Sequence, residues 1–101
     1  MIESNKIIRI ALAEDDAEDR EFFQEVIEQL PVNVELTLYK NGLELVNGLA
    51  ANKEQMPDIV FLDLNMPIMN GITALEEIRK KEEFKKIPII GAPFVKIVQK
   101  V

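Results

Sequence analysis

Two short apolar runs, each stopped abruptly by carboxylates, constrain this chain more than any other feature. Ile7, Ile8, Ile10, Ala11, Leu12 and Ala13 form a nearly continuous hydrophobic stretch, and Glu14-Asp15-Asp16 ends it. Ile59-Val60-Phe61-Leu62 is shorter still and runs directly into Asp63. Strand-length runs without polar alternation are what a parallel strand buried on both faces requires. Both strands therefore belong in the middle of a sheet, with acids at their carboxyl ends.

The intervening segments fit that placement. After Asp16, read as the N-cap, a helix is predicted with Phe22, Phe23, Val26, Ile27 and Leu30 on one face, stopped by Pro31. Val32, Val34, Leu36 and Leu38 then alternate with Asn33, Glu35, Thr37 and Tyr39, the period of a strand with one wet face, hence an edge. Asn41-Gly42 opens a second helix carrying Leu43, Val46, Leu49 and Ala50. Asn70 caps a third, with Ile72, Leu75 and Ile78 inward and Arg79, Lys80 and Lys81 in its last turns. Ile87 to Ile90 is a fourth short strand.

Strand and helix alternate throughout, which describes βαβ units around a parallel sheet. Right-handed crossovers make it a doubly wound α/β fold of flavodoxin-like order, 2-1-3-4-5. Ligands in such sheets bind beyond the carboxyl ends of the strands, at the switch point between the first and third. Glu14 and Asp15 end the first and Asp63 ends the third. Adjacent strands lie about 5 Å apart, so the three carboxylates converge. Bare, they would repel one another, and a divalent cation is the usual remedy.

Composition limits which cation. Among 101 residues there is no cysteine and no histidine, so a zinc-type centre is nearly excluded and a hard, oxygen-seeking ion remains. With room for water and a phosphoryl group, Mg2+ is favoured over calcium. The formal net charge of −6 opposes non-specific binding to nucleic acid or an anionic membrane. No apolar stretch approaches the roughly 20 residues that span a bilayer, and residues 1–6 do not resemble a signal peptide. A soluble cytoplasmic protein of one domain over residues 1–101 is expected. Met56, Met66 and Met69 are expected as core and loop filler.

The segment "ALAEDD" resembles the acidic corner of bacterial response-regulator receivers. "PDIVFLDLNMPIMNG" is similar to their phosphorylation segment almost residue for residue, and "YKNGLELV" resembles their second strand-to-helix passage. The resemblance covers roughly residues 6 to 90. It implies that Asp63 accepts a phosphoryl group from a sensor histidine kinase. It also implies that Asp15 ligates Mg2+ directly, Glu14 through water, and Asn65 through its backbone carbonyl.

The tail departs from that family. The family has a Ser or Thr at the end of its fourth strand and a Lys at the end of its fifth. Pro93 stands near the hydroxyl position, or Ala92 replaces the lysine in an alternative alignment. No Ser or Thr follows Thr73, and the lysines beyond Ile90 are Lys96 and Lys100. Phe94, Ile97, Val98 and Val101 read as a short amphipathic helix like the start of the family's last one. The expectation is a sheet truncated to about four strands, residues 1–90 forming the core and 91–101 a junction and short helix, without the usual fourth helix and fifth strand. Phosphorylation would then be impaired. An exposed fourth-strand edge would favour a homodimer or a domain swap. The alternative function is a structural or oligomerisation module without signalling. A phosphohydrolase with an aspartate nucleophile would need a second Asp where Asn65 stands.

Overall fold

The computed structural model describes residues 6–91. Four strands, β1 (Ile7–Ala13), β2 (Asn33–Tyr39), β3 (Ile59–Leu62) and β4 (Ile89–Gly91), form one sheet of order β2-β1-β3-β4. Every pair is parallel. Three helices, α1 (Ala17–Glu28), α2 (Gly42–Ala51) and α3 (Gly71–Arg79), connect them. Single 3-10 turns at Lys53–Gln55 and Glu82–Phe84 lead into β3 and towards β4. This is the expected flavodoxin-like arrangement, with β1 and β3 central and β2 at an edge. The expected junction and the helix over residues 94–101 lie outside the described residues.

Side chains alternate between two layers of core. Ala11, Ala13, Val60 and Leu62 face α2 and α3, meeting Leu45, Leu49, Ala74, Ile78, Phe84 and Ile87. Ile10 and Leu12 face α1, where Phe23 closes over them, its ring 5.2 Å from that of Phe61. Leu12, Leu45 and Leu62 are fully buried, each worth about 1.5–3 kcal/mol of transfer free energy. Met66 is buried, and Met56 and Met69 pack half-buried against the α2–α3 layer, as filler should.

The inward faces of the helices differ from the expected ones, and in α2 and α3 a close glycine contact sets the difference. In α3 Ala74 and Ile78 are buried, but Ile72 is 56% exposed. A Cβ on Gly71 would lie 2.5 Å from the Asp63 carbonyl oxygen and 2.6 Å from Leu64 Cα. Only glycine fits, and its contact fixes the rotation of α3, so positions three and seven residues on turn inward. Gly42 does the same for α2, where its Cβ would strike the Met69 carbonyl oxygen. Leu45 and Leu49 are therefore buried, while Leu43 and Ala50 face out. In α1, Phe23 is buried and Phe22 and Ile27 half-buried, but Val26 and Leu30 are exposed. The fourth strand begins at Ile89 rather than Ile87, because Ile87 and Phe84 cap the core before the chain becomes extended.

Candidate functional site

The first acidic corner is assembled by the end of β1. The Glu14 amide donates to the Tyr39 carbonyl at 3.0 Å, the last bond between β1 and β2. Glu14 is buried at 1% exposure, and its Oε2 accepts from the Asp16 amide at 3.0 Å. Asp16 is the N-cap of α1, its Oδ1 accepting from the Asp19 amide, so it serves the helix, and Asp15 is left exposed at the mouth. Burial of the Tyr39 side chain against α2 pushes its phenol above its ordinary pKa.

β3 delivers the other wall. The Asp63 amide donates to the Ala13 carbonyl at 3.0 Å, extending the β1–β3 ladder to the site. Asp63 is 2% exposed, and its Oδ1 accepts from the Asn65 amide at 3.0 Å. The following loop is held at both ends, by Gly71 N donating to Leu64 O and Gly42 N donating to Met69 O, each at 3.2 Å. Within it, Met69 N donates to Pro67 O at 2.7 Å across Ile68, which has φ 69° and is 77% exposed.

Glu14, Asp15 and Asp63 each bring a carboxylate oxygen within 4.8 Å of the others. The convergence expected from the two strand ends is realised. The donor set is all oxygen, two of its members are buried and one faces water, so the corner suits a hard divalent cation that keeps water ligands. Asn65 lies in the same loop, with an exposed side chain and its amide engaged by Asp63.

The model of the response regulator receiver domain matches residues 10–93. The chain belongs to that family. This receiver domain is 33% identical over 92 residues to the response regulator Rcp1 of Synechocystis sp., an overlap of 87% of this chain and 63% of Rcp1. The Mn2+-bound form of Rcp1 matches it with a TM-score of 0.70 at 30% identity, covering 83% of this chain and 63% of that one. A phosphorylated cyanobacterial phytochrome response regulator, RcpA, matches with a TM-score of 0.77 at 27% identity over 86% of this chain and 66% of its own. The receiver domain of the sensor histidine kinase PA1611 of Pseudomonas aeruginosa, solved with a magnesium ion in its active-site cleft, gives 0.73 at 26% identity, with coverages of 85% and 66%. The chain thus spans 63% to 66% of the length of these relatives. It is a receiver domain of two-component signalling. No described helix is long and apolar enough to cross a membrane.

One participant was not visible in the sequence. Arg20 Nη1 donates to the backbone carbonyl of Glu14 at 2.8 Å, tying the first helical turn back to the acidic corner. The available signal was its setting: it is the one cation among the six acids of residues 14–21.

Proposed function

We propose that this receiver domain accepts a phosphoryl group on Asp63 from the phosphohistidine of a sensor histidine kinase, in the cytoplasm. The convergence of Glu14, Asp15 and Asp63 within 4.8 Å, with Asp63 at the base, carries the reading. An Asp63 carboxylate oxygen attacks phosphorus; the O–P bond forms as the N–P bond breaks. The imidazole nitrogen keeps the electron pair and takes a proton. Water later cleaves the acyl phosphate, returning the carboxylate and inorganic phosphate. Asn65 N–H holds Oδ1 and so orients the nucleophile.

Glu14, Asp15, Asp63 and the Asn65 carbonyl are the proposed holders of Mg2+. Bound there, it supplies charge neutralisation for the phosphoryl oxygens. In sequence Pro93 stands near the family's hydroxyl position, and proline has neither a hydroxyl nor an N–H to donate. One lost charge-assisted bond corresponds to about 1.5–3 kcal/mol, so transfer is slowed. The second reading, an assembly module pairing through β4, draws on Ile90, 44% exposed in that strand.

Incubation with Mg2+ and acetyl phosphate, followed by intact mass and size-exclusion measurement, separates the two. One added phosphoryl mass, absent in Asp63→Asn, supports the acceptor. No added mass together with a stable dimer supports the module.

A further inference from the structure

Arg20 is badly placed by local rules. It lies near the N-terminus of α1, where the helix dipole favours anions, and a half-buried guanidinium there gives up hydration. Its geometry supplies a reason. Nη1 donates to the Glu14 carbonyl at 2.8 Å, while the Arg20 amide donates to the Asp16 carbonyl at 3.0 Å. The backbone and side chain of one residue thus close a ring around Glu14-Asp15-Asp16. Inside that ring, Asp16 N–H binds Glu14 Oε2. Outside it, Glu14 N–H is fixed to Tyr39. The Glu14 carbonyl belongs to the peptide that joins Glu14 to Asp15, so its direction sets how both carboxylates are presented.

We infer that Arg20 is a positioning residue for the divalent cation: it holds the Glu14–Asp15 peptide against the repulsion of three consecutive acids. The inference rests on the metal reading proposed above. It makes a prediction of unusual sign. A guanidinium acting only through its charge would repel a cation, so its removal would tighten binding. A guanidinium acting through the tether does the opposite, because loss of a group that orients metal ligands weakens affinity about 10–100-fold.

The test is Mg2+ titration of the full chain by calorimetry, with the Asp15 and Asn65 amide resonances followed in parallel. Arg20→Gln should raise the Mg2+ Kd about tenfold. Arg20→Lys, which restores one cationic donor, should recover most of the affinity. Arg20→Met keeps the aliphatic stem and stands in if the glutamine variant unfolds. Equal or tighter Mg2+ binding by folded Gln and Met variants overturns the inference while leaving the metal site intact. Absence of Mg2+ binding by the wild-type chain overturns both.

Discussion

Replacing Ile68 by glycine should stabilise this protein, although it deletes a large apolar side chain. Ile68 has φ 69° and sits in a three-residue turn closed by Met69 N donating to Pro67 O. A β-branched residue in that region costs about 1–2 kcal/mol in steric conflict between Cβ and the backbone. With 77% of its surface exposed, little burial is lost on truncation. Glycine removes the conflict but adds about 0.5–1 kcal/mol of unfolded-state entropy relative to alanine. The net gain is about 0.5–1 kcal/mol, a rise of a few degrees in Tm for a domain of this size. Urea unfolding of Ile68→Gly, Ile68→Ala and the wild type, without divalent ions, measures it. The decisive quantity is the order of the two small residues. At an unstrained site alanine is the more stable; here glycine should be. Alanine above glycine would refute the strain assigned to this turn.

Other perturbations follow from the same geometry. Gly71→Ala pushes a methyl group into the Asp63 carbonyl and Leu64 Cα and should lose about 2–3 kcal/mol by thermal or urea denaturation. Leu45→Ala, at a fully buried position, should cost about 2–5 kcal/mol, whereas Leu43→Ala on the same helix should cost under about 1 kcal/mol; equal losses would contradict the observed rotation of α2. The Glu83 carboxyl is held below its ordinary value of 4.5 by its own backbone N–H first and by Lys53 second. Its favourable contribution is present above that ordinary value and disappears as pH falls through the lowered one. In an NMR titration, Lys53→Met should move the midpoint up only part of the way. The Tyr39 phenol, raised above 10.0 by burial, keeps its proton longer folded than unfolded, so stability should fall as pH climbs past 10.0 towards the raised value. Ultraviolet titration of this single tyrosine follows the ionisation.

The sheet was legible because strand burial is written into the pattern: Ile59–Leu62 carries no polar residue, and β2 alternates strictly. Two caps were legible too, since Asp16 and Asn70 each accept from an amide three residues on; Asn41, read only as a turn residue, does the same for α2. Helix rotation was not. Leu43, Leu45, Val46, Leu49 and Ala50 spread over an arc of roughly 160° of α2, so periodicity gives only the broad apolar side, and a steric contact at Gly42 decides which edge of it turns inward. The acidic trio followed from strand ends and the general rule for parallel sheets. Arg20 did not, because its partner is a carbonyl, and backbone acceptors leave no mark in a sequence.

The central position of β1 also has a kinetic meaning. Its residue Arg9 pairs with Glu35 of β2, 26 residues later, and exchanges hydrogen bonds with Asp58, just before β3, 49 residues away. Such distant partners must pay loop-closure entropy before any ladder forms. Asp15 and Asp63 meet only after the longer of these closures. With the cation site proposed above, all three carboxylates can grip a divalent ion only in a chain that has already zipped β1 to β3, and the ion's binding rate during refolding should report that event rather than the earlier appearance of helices.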